Sequence, residues 1–358
     1  MTEFTTYGVR YLGSKNKIIP LIHKVVDELN LEKKTLIDVF AGTTRVAQAF
    51  KRVGYTVTTS DLSWATEAYS NAFICNDGKM SHMKQYIEQL NNVQSKADWI
   101  TNNYCEATAA QKTKEGEDIL IQVWKPKNGA KADAARELIE TFNLSHMEKM
   151  FLITSVIFGL DKVDNTVGLQ QAYLKGWKAD RASLDIVFPM LPTIEGPVGK
   201  HVVGDALLIP YEEHDVAYLD PPYTAADYST YYHIWDSITR WDKPEVSLKT
   251  NRRIDRVKQK KNDKWDQSML SPWYTKKGAF DATIKLVDRL PVKYCVFSYS
   301  DEGLISLDEM KKLGSRYKSY QIFEQTHKRH VMSGIGAGAK ELTVDDTKNT
   351  EYVILIEK

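Results

Sequence analysis

The chain has 358 residues, with 48 Lys plus Arg against 47 Asp plus Glu and a formal net charge of +1. At 42% hydrophobic, 27% charged and 11% aromatic it has the composition of a globular protein with a substantial core, which excludes a disordered or fibrous chain. Three dispersed cysteines (Cys75, Cys105, Cys295), with no CxxC and no paired histidine, argue against a disulfide framework and against a structural zinc site. No window approaches the ~18 uninterrupted apolar residues of a membrane span. The opening segment MTEFTTYGVRYLGSK is polar, so no signal peptide is expected and a reducing cytoplasm is the expected compartment.

Between Lys15 and Asn30, the residues Ile18, Ile19, Leu21, Ile22, Val25, Val26 and Leu29 recur at helical spacing, with Pro20 placed near the helix start. TLIDVF (35–40) reads as a buried strand, followed by a small-residue turn and a helix. TVTTSD (56–61) is a second β-branched strand ending on an acid. Strand, turn, helix and strand in this order make a βαβ unit, which implies a parallel sheet covered by helices on both faces. The stretch 63–95 reads as helical. From 96 to 198 the chain is rich in Asn, Lys and Gln, with a Lys-Pro-Lys-Asn-Gly turn at 125–129, a helix at Glu148–Phe158 and no clear strand alternation. This part is expected to be a mainly helical insertion.

Strand patterns resume at HVVGDA (201–206) and HDVAYLDPPY (214–223). A helix follows over Ala279–Leu290, then strands at KYCVFSY (293–299), Tyr317–Glu324 and Glu351–Glu357. There is no fixed-period repeat and no low-complexity tract. The expected organisation is one α/β catalytic unit from 1–95 and 199–358, with an insertion at 96–198 and a basic insertion at 240–275.

Three strand ends carry acids. Asp38-Val39-Phe40-Ala41-Gly42 delivers a carboxylate at the carboxyl end of a strand and then turns tightly into a helix. Ligands in open parallel sheets bind at this edge, although a plain strand-to-helix turn would read the same way. Asp61 closes the next strand, where a carboxylate accepts from ribose hydroxyls or caps a helix. Asp205, after Gly204, closes a third strand and suits an adenine amino group or a turn. Asp220-Pro221-Pro222-Tyr223 is the most specific segment. Two consecutive prolines cannot continue a central strand, and they leave outward carbonyls flanked by an acid and an aromatic ring.

With Tyr11-Leu12-Gly13-Ser14-Lys15, these segments resemble the N6-adenine DNA methyltransferases of the D12 class. The order fits as well: the YLGSK segment, the cofactor motif, a variable region, then DPPY. Phe297 to Leu304 resembles the family's later strand and turn beside the catalytic pocket. The resemblance implies a Rossmann-like methyltransferase fold, a mostly parallel sheet with a C-terminal antiparallel strand and a target-recognition insertion. It also implies S-adenosylmethionine as cofactor. Tyr11 and Lys15 would lie near the methionine part, Asp38, Phe40, Ala41 and Gly42 along the cofactor, Asp61 at the ribose, and Asp205 with Ala206 at the adenine. Asp220, Pro221, Pro222 and Tyr223 would be catalytic. Two departures stand out: Thr43-Thr44 follow Gly42 where the family often has Gly-x-Gly, and Thr224 follows DPPY where Asn is frequent.

The implied chemistry is methylation of a flipped-out adenine in a specific duplex DNA sequence. The implied partners are double-stranded DNA and a restriction endonuclease of the same system, not physically bound, with the chain expected to be a monomer. Methylation of RNA, and a catalytically silent DNA-binding regulator, are the competing readings at this stage.

Near-neutral net charge argues against a nucleic-acid partner only if the charge is evenly spread. Lys249 to Lys264 holds eight basic and two acidic residues, a net +6, which leaves −5 for the rest of the chain. A solvated surface run is one reading; a phosphate-contacting loop is the other. The candidates are Lys249, Arg252, Arg253, Arg256, Lys258, Lys260 and Lys261. Lys328 and Arg329 belong to a second basic segment, His327 to His330, which precedes Gly334, Gly336 and Gly338. Among Tyr228, Tyr231, Tyr232, His233 and Trp235, core packing and lining of a base pocket are both open.

Overall fold

The computed structural model describes residues 4–170, 174, 176–223, 228–247, 250–256, 260–261, 264–265, 271–328 and 348–358. In chain order the first half comprises α1 (Ile19–Asp27), β1 (Thr35–Asp38), α2 (Arg45–Arg52), β2 (Thr56–Asp61), α3 (Trp64–Phe73), α4 (Lys84–Asn91), α5 (Trp99–Tyr104), β3 (Cys105–Lys112), β4 (Asp118–Gln122), α6 (Pro126–Thr141) and α7 (His146–Lys162). The second half comprises β5 (Lys200–Val203), β6 (His214–Leu219), α8 (Tyr228–Tyr231), α9 (His233–Arg240), β7 (Lys260–Lys261), β8 (Lys264–Trp265), α10 (Lys276–Arg289), β9 (Val292–Ser300), α11 (Leu307–Gly314), β10 (Ser319–Lys328) and β11 (Lys348–Glu357).

Seven strands form one sheet in the order β10-β11-β9-β6-β1-β2-β5. β1 pairs in parallel with β2 and β6, β2 with β5, and β6 with β9. Only β11 runs against its neighbours, wedged between β9 and β10, so the expected antiparallel C-terminal strand is present. The central strands are apolar on both faces, as a helix-covered parallel sheet requires. Their side chains alternate with period two. Leu36, Val216, Tyr218, Val296 and Val353 feed one core, with α1, α2 and α3. Ile37, Ala217, Leu219, Phe297 and Ile354 feed the other, with Leu286 and Val287 of α10 and Leu313 of α11.

Residues expected to form the insertion share the first of these cores. Trp99, Tyr104, Trp124, Phe151, Leu152 and Ile157 run continuously with the side chains of α1 to α3. A capping box between Ser145 and Glu148 starts α7 two residues ahead of the expected helix.

Two local expectations fail. The Lys-Pro-Lys-Asn-Gly segment is not a turn but the first turn of α6, with Pro126 at its first position, where a missing N–H costs nothing. Gly129 belongs there because a Cβ would lie 2.4 Å from Cys105 Sγ, where α6 passes over the start of β3. β3 and β4 form an antiparallel hairpin whose register shifts between Cys105 and Ala107 and between Thr108 and Lys112. Those irregularities break the alternation that a strand otherwise shows in sequence.

Candidate active site

The carboxyl ends of β1 and β6 lie side by side, and from β1 the chain extends the sheet in both directions. This is the switch point at which open α/β sheets bind ligands. A cavity of about 480 Å³ opens there. Tyr11, Phe40, Gly42, Asp61, Asp205, Ala206, Asp220, Pro221, Pro222 and Tyr223 all line it. Segments as far apart in the sequence as Tyr11 and Tyr223 thus meet at one cavity. Lys15, Asp38 and Ala41 line a smaller recess of about 40 Å³ behind it, shared with Tyr11, Gly42 and Asp220.

The turn after β1 is set by backbone bonding. Val39 N–H donates to Tyr218 O (3.1 Å) and Ala41 N–H to Ser60 O (3.1 Å), which carries the chain over the sheet edge. Gly42 adopts φ +48°, and its N–H donates to Asp61 Oδ2 at 2.8 Å. Asp61 Oδ1 accepts from Ser63 N–H at 2.9 Å, so this carboxylate braces the turn as well as facing the cavity. Burial is the main reason its carboxyl is pushed up to about 6, against the lowering effect of those amides. Thr44 stands where a second loop glycine is frequent in the resembling family. It takes the left-handed conformation itself (φ 59°), and its buried hydroxyl accepts from Gln48 Nε2 at 3.0 Å.

The N-terminal segment closes the site from above. Tyr11 stacks on Tyr232 with centroids 4.3 Å apart, and Leu12 N–H donates to Tyr232 Oη at 2.7 Å. Gly13, at φ +80°, is required twice over, because a Cβ would come 2.5 Å from Tyr223 Oη. Tyr223 meets Tyr299 edge-on at 5.8 Å, and its carbonyl accepts from Leu304 N–H at 3.1 Å. Of the segment Phe297–Leu304, Tyr299 and Leu304 thus contact Tyr223, although none of its residues lines the cavity itself. Asp205 sits exposed at the rim, with Oδ1 accepting from Leu207 N–H at 2.8 Å.

Asp220 is the centre of the electrostatics. Its Oδ1 meets Lys15 Nζ at 3.2 Å and accepts from Ser298 Oγ at 3.3 Å, and that hydroxyl also meets Tyr218 Oη at 2.7 Å. Burial pushes the Asp220 carboxyl up to about 6, with Lys15 opposing and Glu351 reinforcing the shift. Lys15 is only 6% exposed and lies 3.4 Å from Glu351 Oε2. Its described partners are thus the carboxylates of Asp220 and Glu351. Asp38 is 1% exposed, and burial, then the nearby Asp220 and Asp61, push its carboxyl well above the ordinary value. Its Oδ1 has no hydrogen-bond partner among the described residues. A buried acceptor without a donor, in a site where carboxylates outnumber cations, suits a cationic ligand such as S-adenosylmethionine. The aromatic face of Phe40 on the cavity wall suits a nucleoside.

Several lining residues were not singled out by sequence. Ser271, Pro272, Trp273 and Tyr274 form one wall, with Trp273 edge-on to Phe40 at 5.2 Å. Ser-Pro followed by two aromatics just before a helix was the available signal. Glu351, which lines neither cavity but reaches Lys15, lies on a strand whose pattern speaks only of burial. The aromatic cluster after DPPY divides: Tyr228, Tyr232 and Trp235 line the cavity. His233 is core, fully buried beside Tyr104, and burial pushes it down to about 3.

The basic run needs one correction. Arg253 does not present a free cation for phosphate. It is 2% exposed, its Nη2 lies 2.8 Å from Asp242, its Nε 2.8 Å from Asp255, and its Nη1 donates to Ser237 Oγ at 3.1 Å. Counting charges within the run missed the acid Asp242 just outside it. Arg252 is half-buried, and the backbone of Arg256 ends a short 3-10 turn. Lys260, Lys261 and Lys328 fall on β7 and β10. Lys249, Lys258, Arg329 and Thr224 lie outside the described residues, as does the glycine-rich stretch after His330.

The D12 class N6 adenine-specific DNA methyltransferase family matches residues 11–331, and the chain belongs to it. It is similar to the modification methylase LlaI of Lactococcus lactis subsp. lactis, at 26% identity over 96% of this chain and 56% of that protein. It is similar to the type II methyltransferase M.NlaIII of Neisseria lactamica, at 26% identity over 90% of this chain and 92% of that one. It is also similar to M.CviAII of Paramecium bursaria Chlorella virus 1, at 23% identity over 93% and 96%. The chain therefore spans about half the length of LlaI and nearly all of the other two.

Proposed function

We propose that this chain transfers the methyl group of S-adenosylmethionine to N6 of an adenine flipped out of a specific duplex DNA sequence, as the modification enzyme of a restriction system. The observation that carries the reading is Asp220. It is an acceptor carboxylate at the end of β6, tethered through Oδ1 and followed by Pro221, Pro222 and Tyr223 on the wall of the same cavity as Tyr11, Phe40 and Asp61. Membership of the family and similarity to modification methylases support it.

Tyr11, Asp38, Phe40, Ala41, Gly42, Asp61, Asp205 and Ala206 are the residues that would hold the cofactor, which when bound supplies an electrophilic methyl on a sulfonium. Adenine N6 is a poor nucleophile because its lone pair is delocalised into the ring. Asp220 and the Pro221 carbonyl, each accepting one N6 hydrogen, favour a tetrahedral nitrogen with its lone pair localised. Asp220 also stabilises the positive charge that grows on that nitrogen. Tyr223, held by Gly13 and Tyr299, would stack on the base, which offsets part of the few kcal/mol that extrusion from the duplex costs.

Transfer of tritiated methyl to duplex DNA tests this, with RNA as competitor. Asp220→Ala is expected to lower kcat by at least about a hundredfold, the scale of losing one preorganised charge-stabilising group. Tyr223→Ala should act on the target-base step and leave cofactor affinity unchanged. Transfer at the full rate by Asp220→Ala, or preference for RNA, would defeat the reading.

A further inference from the structure

Glu351 lies on β11, opposite Ser300 of β9, in a part of the chain beyond the residues that match the family. It is 7% exposed. A buried carboxylate on a sheet interior is costly unless it has a cationic partner, and its partner is Lys15, at 3.4 Å. Lys15 comes from the N-terminal segment, so one ammonium joins the two ends of the chain at the catalytic carboxylate. It stands 3.2 Å from Asp220 Oδ1 and 4.6 Å from the centroid of the Tyr223 ring.

A lysine with only Asp220 as partner would be a poor neighbour for the proposed reaction. An ammonium carries three donors on a flexible stem. Left alone, it would range over both carboxylate oxygens and compete with the N6 amino group for the same acceptor. Here one of its donors is drawn to Glu351, on the side of β11. Its contact with Asp220 falls on Oδ1, the oxygen that Ser298 also holds. Oδ2 accepts no hydrogen bond from any described residue.

We propose that Glu351 is a positioning residue for methyl transfer: it holds Lys15 against Asp220 Oδ1 and so keeps Oδ2 for the incoming amino group. This rests on the adenine-methyltransferase reading of Asp220. Glu351 acts through Lys15, and that coupling is what the experiment measures.

The test is a double-mutant cycle on the full chain, with kcat and both KM values for methyl transfer to duplex DNA measured for wild type, Glu351→Gln, Lys15→Met and the pair. Glu351→Gln keeps the side chain's shape and should lower kcat about tenfold, with KM for cofactor and for DNA within twofold of wild type. In the Lys15→Met background it should change nothing further, because the group it acts through has gone. Glu351→Asp keeps the charge and covers the case of a misfolded Gln variant; it should fold and retain more activity than Glu351→Gln. An unchanged kcat in Glu351→Gln, a loss that multiplies with that of Lys15→Met, or a loss carried by the cofactor KM would each overturn the role of Glu351. Absence of transfer by the wild-type chain would overturn the functional reading and this inference with it. Transfer that needs Asp220 but ignores Glu351 overturns this inference alone.

Discussion

Where the N-terminal segment meets the end of α7, Arg10 pairs with Asp161 at 3.1 Å and with Asp164, and Arg181 reaches Asp164 at 2.9 Å. Two cations face two carboxylates there. At the carboxyl ends of β1 and β6, Lys15 faces Asp220 and Glu351, with Asp38 buried close by and Asp61 on the next strand. The first cluster is balanced and its ligands are its own side chains. The second is short of positive charge, and one of its acceptors is unsatisfied among the described residues. Architecture tolerates buried charge when it is compensated; a surplus of one sign persists where a ligand is to supply the other.

This contrast can be broken from either side. Removing one member of the balanced cluster should cost the most stability. Asp164 is 5% exposed, and Asp164→Ala leaves Arg181 without its carboxylate and Arg10 with Asp161 alone; because both guanidiniums are about a third exposed, a loss of about 2 kcal/mol is expected in urea unfolding. Methyl transfer measured well below the unfolding midpoint should survive.

The opposite sign is expected at Asp38. Its carboxyl is raised in the folded state, so its ionised form opposes folding, and the penalty grows as pH rises above the ordinary value of 3.8. Asp38→Asn should therefore raise the urea unfolding midpoint at pH 8, with the gain fading toward pH 4. The same variant should bind S-adenosylmethionine more weakly. A fall in stability at pH 8 would contradict the surplus-charge account.

How much of this was legible in sequence depended on the kind of signal. The strands came through because apolar runs such as TLID and HDVAYL are bounded by acids and turns, and the site followed because each acid sits at a strand end. The hairpin β3–β4 did not come through, since its register irregularities erase the period of two. Lys125 to Gly129 reads as a turn because proline and glycine are turn formers in isolation; only the fold shows Pro126 at a helix start and Gly129 against Cys105. Arg253 reads as a free cation for a third reason. Its partners, Asp242, Asp255 and Ser237, are close in sequence, but nothing in one dimension shows that they converge. Glu351 was silent because partnership with a lysine 336 residues away leaves no local trace.

The smallest expected effect lies in the loop after β1. Thr44 bears left-handed strain of about 1 kcal/mol, which its hydrogen bond with Gln48 offsets. Thr44→Gly removes both and should leave stability nearly unchanged. Thr44→Val keeps the strain and loses the bond, but Gln48 Nε2 still donates to Tyr7 O at 2.8 Å, so it should cost about 1 kcal/mol in the same unfolding experiment.

The central claim is that the surplus of carboxylates around Asp220 serves methylation of adenine N6. Nucleoside mass spectrometry of duplex DNA incubated with the protein and S-adenosylmethionine tests it most directly. The account predicts N6-methyldeoxyadenosine in the wild-type reaction and none with Asp220→Ala. Methylated cytosine, or N6-methyldeoxyadenosine formed equally well by the Asp220→Ala protein, would contradict it.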